Sequence, residues 1–126
     1  MNLVDSCGWL EYAASGPNAD FFAPALADLR ALVVPTVCLY EVYKRMTQLE
    51  GEAAARTVAA FMHQGRVVAL DAPVALLGAR LSLAYRLPMA DSLILATARA
   101  HEAVLWTQDA HFRGVDGVRF VERAEG

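Results

Sequence analysis

The sequence predicts an α/β fold of three layers, in which helices cover both faces of a mainly parallel sheet of four to five strands. Short runs of β-branched residues alternate with stretches of helix length. The length of 126 residues suits one domain. A hydrophobic content of 56% with only 20% charged residues excludes a disordered chain. We therefore expect residues 1–126 to form a single α/β/α domain.

The predicted strands are short, apolar and rich in β-branched residues. In chain order they span Asn2–Asp5, Leu32–Val34, Val67–Leu70, Val104–Thr107 and Val118–Val121. The last of these is expected to be an edge strand.

Six helices are predicted between these strands. Ser6 is expected to cap the first helix, which runs to about Ala14 before the Gly16-Pro17-Asn18 break. The other predicted helices cover Ala19–Leu29, a third from its cap at Thr36 to Gly51, Glu52–His63, a fifth between the Asp71-Ala72-Pro73 start and the Leu87-Pro88 stop, and Ala90–His101.

Composition excludes several classes of protein. The net charge of −3 gives the whole chain no attraction to nucleic acids or acidic membranes. The longest apolar stretch, Ala31–Tyr40, is shorter than the ~18 residues of a membrane span and contains Pro35. Cys7 and Cys38 form no CxxC pair, so neither a disulfide framework nor a zinc site is indicated. The N-terminus lacks the features of a signal peptide, and we expect a cytoplasmic protein without membrane contact.

Four acidic residues should meet at one edge of the sheet. Ligand sites of open parallel sheets lie at the carboxyl ends of the strands. Asp5 closes the first strand, and Asp109 follows the fourth. Asp91 lies in the first turn of the helix that leads into the fourth strand, so it starts from the same edge. Glu41 lies early in the helix that leaves the second strand. We therefore expect these four carboxylates to converge.

The expected cluster favours a metal site. Carboxylates held together raise one another's pKa values, and a hard divalent cation relieves that repulsion. The alternative is that Asp5, Asp91 and Asp109 only cap helices, a common use of Asp. That explanation suits any one of them alone. Four acidic residues at one edge instead favour a Mg²⁺ or Mn²⁺ site.

Several segments give the chain a family resemblance. They are Leu3-Val4-Asp5-Ser6, Glu41 within Leu39–Lys44, Ala90–Ala98, and Thr107–Phe112. Together they resemble the PIN-domain ribonucleases, specifically the VapC-type toxins of bacterial toxin-antitoxin systems. The sequence departs from the usual pattern at Cys7-Gly8 and at Gln108, and neither departure removes an acidic residue.

The resemblance implies a site, a reaction and partners. It implies that Asp5, Glu41, Asp91 and Asp109 are catalytic and hold Mg²⁺ or Mn²⁺, with the hydroxyl groups of Ser6 and Thr107 beside them. A cation held there would polarise an RNA phosphodiester and lower the pKa of bound water. The implied partners are an RNA substrate and a cognate antitoxin that inhibits the enzyme.

We also expect a homodimer, because a small domain should leave apolar side chains for partners to cover. The candidates for such interfaces lie on the first four helices: Leu10, Phe21, Phe22, Leu26, Val42, Met46, Phe61 and Met62. Candidates for phosphate contacts are Lys44, Arg45, Arg86, Arg99 and Arg113. The role of His111, beside Asp109, stays open.

Two other functions lack the residues that they need. A response-regulator receiver domain needs paired acids after the first strand and a late lysine, whereas Asp5 stands alone and Lys44 is the one lysine. Dinucleotide binding needs a glycine-rich turn that Asp5–Gly8 does not supply. The remaining alternative is a catalytically inert PIN-like module that acts by binding proteins. Divalent metal would leave the stability of such a module unchanged.

Overall fold

The computed structural model describes residues 1–124 and confirms the three-layer α/β/α arrangement. Its strands are β1 (Asn2–Val4), β2 (Val33–Pro35), β3 (Arg66–Val68), β4 (Val104–Thr107) and β5 (Val118–Phe120). Its helices are α1 (Ser6–Ala13), α2 (Ala19–Ala27), α3 (Thr36–Glu50), α4 (Glu52–Met62), α5 (Ala72–Tyr85) and α6 (Met89–Ala100). Short 3₁₀ turns cover Leu29–Ala31 and Ala110–Phe112.

Every strand pair in residues 1–124 is parallel. β1 pairs with β4, placing Val4 opposite Trp106, and β4 also pairs with β5. β2 pairs with β3, and a bridge between Asn2 and Leu32 joins this pair to β1. The strand order is therefore β3-β2-β1-β4-β5, with β5 at an edge as predicted. The carboxyl ends of β1, β2 and β4 consequently lie at the same edge of the sheet.

The core fixes the elements that lead into this edge. The central strands are buried, and α6 is buried continuously from Ile94 to Ala98. Gly8 lets α1 approach β1 closely, because a Cβ atom there would lie 2.6 Å from both the Phe22 ring and the Val4 side chain. The N-terminus of α1, directly after Asp5, is thereby pressed into the interior. Asp5 and Ser6 are buried as a result.

Two predicted caps and one helix end differ from the structure. The cap of α1 is Asp5, whose Oδ1 accepts a hydrogen bond from the backbone N–H of Ser6 at 2.8 Å. Ser6 is the first helical residue, and its hydroxyl is used elsewhere. Thr36 is likewise the first residue of α3, after Pro35. α2 ends at Ala27 rather than Leu29, because the chain tightens into a 3₁₀ turn before β2.

The prediction of interface residues was largely wrong. Most of these side chains are less than 10% exposed and belong to the core: Phe22, Leu26, Val42, Met46 and Met62. The reason is that α1 packs on both α2 and α3, and α3 packs along α4, so these helices bury more than one face. Within residues 1–124, none of the helices has the length and apolar character required to cross a membrane.

Candidate metal centre

The pairing of β1 with β4 places Thr107 beside Asp5. The backbone N–H of Asp5 donates to the carbonyl of Trp106 at 3.0 Å, which extends the strand register by one residue. The Thr107 hydroxyl then donates to Asp5 Oδ2 at 2.7 Å. Asp5 is only 4% exposed, so its carboxylate depends on these partners in place of water.

Glu41 joins the same edge through Ser6. Because α3 follows β2 without a loop, the second turn of α3 lies beside the N-terminus of α1. There the Ser6 hydroxyl donates to Glu41 Oε1 at 2.7 Å. The two hydroxyl groups expected near the acidic residues thus each hold one carboxylate, Ser6 that of Glu41 and Thr107 that of Asp5.

Asp91 and Asp109 meet around His111. Asp91 lies in the first turn of α6, and Asp109 lies just after β4. The Nδ1 atom of His111 is 2.9 Å from Asp91 Oδ2 and 3.2 Å from Asp109 Oδ1. One ligand atom from each of the three residues lies within 4.8 Å of the other two. The three side chains therefore form a compact group that is open on one side.

The Thr107 hydroxyl connects the two halves of the cluster. It donates to Asp5 and accepts a hydrogen bond from the backbone N–H of Asp109 at 2.9 Å. Asp5 and Glu41 lie outside the 4.8 Å group. They still act on it electrostatically, because the charge of Asp91 raises the pKa of Asp5 and the charge of Glu41 raises the pKa of Asp91. All four carboxylates thus face one region at the sheet edge.

The pKa values of Asp5, Asp91 and His111 are all raised, as expected where negative charges lie close together. Burial, together with the charge of Asp91, raises the pKa of Asp5 to about 6, against the lowering effect of the Thr107 hydrogen bond. The pKa of Asp91 is raised mainly by burial and, to a smaller extent, by the charge of Asp109. The pKa of the His111 imidazole is raised mainly by its hydrogen bond with Asp91 and, to a smaller extent, by the charge of Asp109. Each shift shows that the cluster favours added positive charge.

The donor set suits a hard divalent cation. Carboxylate oxygens are the ligands that Mg²⁺ and Mn²⁺ prefer, and a bound cation would offset the repulsion that raises these pKa values. Capping accounts for part of the cluster, because Asp5 caps α1 and Asp109 accepts from the backbone N–H of His111 at 2.9 Å. It does not account for Asp91, since Pro88 holds the cap position of α6. The residues present therefore fit the metal that the sequence analysis expected.

Cys7 also touches the cluster, a contact that the sequence pattern does not indicate. Its Sγ atom lies 3.4 Å from Asp5 Oδ2 and 3.5 Å from Thr107 Oγ1. Burial, and next the charge of Asp5, raises the pKa of the thiol to about 12. Cys7 is therefore a neutral neighbour of Asp5 and not a nucleophile.

The candidate phosphate-contact residues lie in different places, and one of them, Arg86, is the left-handed residue that ends α5. Lys44 and Arg45 line a cavity of about 200 Å³ beside Glu41. Arg99 instead donates to Tyr85 and to a backbone carbonyl, and Arg113 contacts Glu122 at 2.7 Å. Lys44 and Arg45 on α3 are thus the candidates that line a cavity together with a carboxylate of the cluster.

The structure is a parallel α/β fold with acidic residues at the carboxyl edge of its sheet. Sequence comparison identifies the protein family to which this fold belongs. The profile of the PIN domain family matches residues 3–118, and the chain belongs to this family. The match confirms the family resemblance. No curated protein sequence matches the chain.

Solved structures show the same fold. A toxin-antitoxin complex from Klebsiella pneumoniae superposes with a TM-score of 0.79 at 21% identity, over 94% of this chain and 96% of that one. VapC20 from Mycobacterium tuberculosis, described as a sarcin-ricin loop cleaving toxin, gives 0.77 at 15% identity, over 92% and 95%. DNA-bound VapBC from Salmonella typhimurium gives 0.70 at 16% identity, over 97% and 98%.

Proposed function

We propose that this chain is a metal-dependent endoribonuclease of the VapC toxin type, which hydrolyses RNA phosphodiester bonds. The observation that carries the proposal is the convergence of Asp5, Glu41, Asp91 and Asp109 at one sheet edge, with two of their pKa values raised. Membership of the PIN family supports it. The similarity to a toxin described as cleaving the sarcin-ricin loop supports RNA as the substrate.

The side chains have distinct proposed tasks. Asp91 and Asp109, whose ligand atoms lie together with that of His111, hold the cation, and Asp5 and Glu41 complete the negative site. Ser6 orients Glu41 and Thr107 orients Asp5 through their hydroxyl groups. A Mg²⁺ or Mn²⁺ ion held by these residues would supply Lewis-acid chemistry, polarising the phosphodiester and making water more acidic.

The RNA strand is proposed to approach along α3. Lys44 and Arg45 lie one turn beyond Glu41, where they can pair with phosphates next to the bond that is cut. Tyr40, on the same face, is 64% exposed, and Lys44 Nζ lies 5.7 Å from the centre of its ring. An exposed aromatic ring beside two cations suits stacking on an unpaired base.

A cognate antitoxin and a second copy of the chain are the proposed partners. An apolar groove of about 230 Å³ between α1 and α4, lined in part by Trp9, Tyr12 and Phe61, suits an apolar antitoxin segment. The solved structures of toxin-antitoxin complexes with this fold support such a partner.

Leu76 and Leu83, at 69% and 85% exposure on α5, suit a homodimer contact. We also propose that residues 1–126 are one domain acting in the cytoplasm.

An RNA cleavage assay tests the proposal. Asp91→Asn removes one negative charge from the cluster with almost no change in volume, so we expect a folded protein without Mg²⁺- or Mn²⁺-dependent cleavage. Asp116→Asn, an exposed position after the 3₁₀ turn, is the matched control and should cleave like the wild type. Near-wild-type cleavage by Asp91→Asn would remove Asp91 from the site. Absence of cleavage and of metal binding in the wild type would favour the inert protein-binding module.

A further inference from the structure

His111 occupies a position that the acidic residues alone do not explain. Its ring nitrogen lies 2.9 Å from Asp91 Oδ2 and 3.2 Å from Asp109 Oδ1. We infer that His111 supplies an imidazole ligand to the metal centre and thereby makes the centre prefer Mn²⁺ over Mg²⁺. This inference rests on the proposed function and specifies which ion the site selects.

The spacing of the donor atoms fits one coordination shell. Ligands about 2.1 Å from an octahedral ion lie about 3.0 Å from their neighbours and about 4.2 Å from the opposite ligand. The His111 nitrogen is 2.9 Å from the Asp91 oxygen and 3.2 Å from the Asp109 oxygen, as adjacent ligands would be. The ligand atoms of the two carboxylates lie within 4.8 Å of each other. The three donors can therefore reach a shared ion with small movements.

The backbone holds His111 in this place. Its N–H donates to Asp109 Oδ1 at 2.9 Å, and the next residue, Phe112, is fully buried in the core. The 3₁₀ turn Ala110–Phe112 is thus anchored at one end by a carboxylate of the cluster and at the other by an aromatic side chain. The imidazole is directed at the cluster by a fixed turn, although 54% of the side chain is exposed.

The chemistry of the ligands gives the selectivity. Mg²⁺ and Mn²⁺ both accept oxygen donors, and Mg²⁺ in addition retains several waters. Mn²⁺, although the weakest binder among the first-row transition ions, is still a softer ion than Mg²⁺ and gains more from an imidazole nitrogen. A site made of carboxylates alone has little reason to discriminate between Mg²⁺ and Mn²⁺. One nitrogen among the oxygens adds affinity for Mn²⁺ that Mg²⁺ does not gain.

A different role for His111 predicts the opposite result. A protonated imidazole between two carboxylates is an internal counter-ion, and it would compete with any bound cation. Removing it would then strengthen the binding of Mg²⁺ and Mn²⁺ alike. Removing a ligand weakens the binding of Mn²⁺ most.

The test compares wild type, His111→Gln and the control His63→Gln, whose exposed ring contacts the carbonyl of Ala59 at the end of α4. Pulsed electron paramagnetic resonance of the Mn²⁺-loaded proteins detects a coordinated ¹⁴N directly. We expect ¹⁴N coupling in the wild type and in His63→Gln, and none in His111→Gln. Calorimetric titration should show a Mn²⁺ affinity at least about tenfold weaker in His111→Gln, since even hydrogen-bond partners of ligands contribute about 10–100-fold. The Mg²⁺ affinity should change less.

Two results would overturn the inference. One is a wild-type protein that binds Mn²⁺ without ¹⁴N coupling, and the other is tighter binding of both ions by His111→Gln. In either case an Asp91→Asn variant that fails to bind metal would leave the proposed function standing. Failure of the wild type to bind either ion would overturn both proposals together.

Discussion

The buried carboxylate of Asp5 makes a quantitative prediction about stability and pH. In the absence of metal, folding raises its pKa from 3.8 to about 6. A difference of about 2.2 pH units corresponds to about 3 kcal/mol of folding free energy at about 1.4 kcal/mol per unit. Because Asp5 is only 4% exposed, screening by solvent reduces this value little.

The sign follows from proton binding. The folded state holds the Asp5 proton more tightly than the unfolded state does. This contribution to stability is therefore complete below about pH 4 and is lost as the pH rises through about 6. The amide of Asp5→Asn does not lose a proton in this pH range. The variant loses about 1–2 kcal/mol of hydrogen bonding at every pH, but relative to wild type it gains up to about 3 kcal/mol between pH 4 and 7.

Urea denaturation in EDTA, followed by tryptophan fluorescence, measures this difference. Ser82→Ala is the control, because it removes a part-buried hydrogen bond, from the Ser82 hydroxyl to the carbonyl of Leu87 at 2.7 Å, without removing a titratable group. We expect the difference from wild type to change with pH for Asp5→Asn and to stay constant for Ser82→Ala. A constant difference for Asp5→Asn would refute the account of Asp5 as a carboxylate destabilised by burial.

Three further predictions address the rest of the site. Glu41→Gln should reduce cleavage strongly while leaving a measurable rate in an RNase assay, because Glu41 lies outside the tightest ligand group. Lys44→Ala with Arg45→Ala should weaken RNA binding and flatten its salt dependence in fluorescence anisotropy, without altering calorimetric Mn²⁺ binding. Gly8→Ala should lower the free energy of unfolding by about 1–3 kcal/mol, because its Cβ would overlap the Phe22 ring. Unchanged cleavage by Glu41→Gln, unchanged RNA binding by the Lys44 and Arg45 double variant, or unchanged stability of Gly8→Ala would contradict the corresponding role.

Much of the site could be predicted because the fold class constrains it. In a parallel sheet the residues that follow β1 and β4 must share an edge, so Asp5 and Asp109 could be paired from sequence. The same reasoning places the start of α6, and with it Asp91, at this edge. The predicted helices and strands agree with the structure to within a few residues, with the largest differences at helix caps and short strands.

The remaining features depend on geometry that sequence patterns do not encode. His111 reaches Asp91 only because a 3₁₀ turn after β4 bends the chain back toward α6. Ser6 resembles a helix cap in sequence, yet its hydroxyl is taken by Glu41 across the site. Phe22 and Met62 are predicted to lie at an interface because sequence periodicity assigns each helix a single buried face. In the structure α1–α4 also pack on one another, and this packing buries both side chains.

The central claim is that the acidic cluster holds the cation that cleaves RNA. One Mn²⁺ titration, with melting temperature and RNA cleavage recorded on the same sample, tests it most directly. We predict that both signals rise over the same range of Mn²⁺ concentration in the wild type and that both are lost in Asp91→Asn. Cleavage that persists in EDTA, or a rise in melting temperature without any cleavage, would contradict the claim.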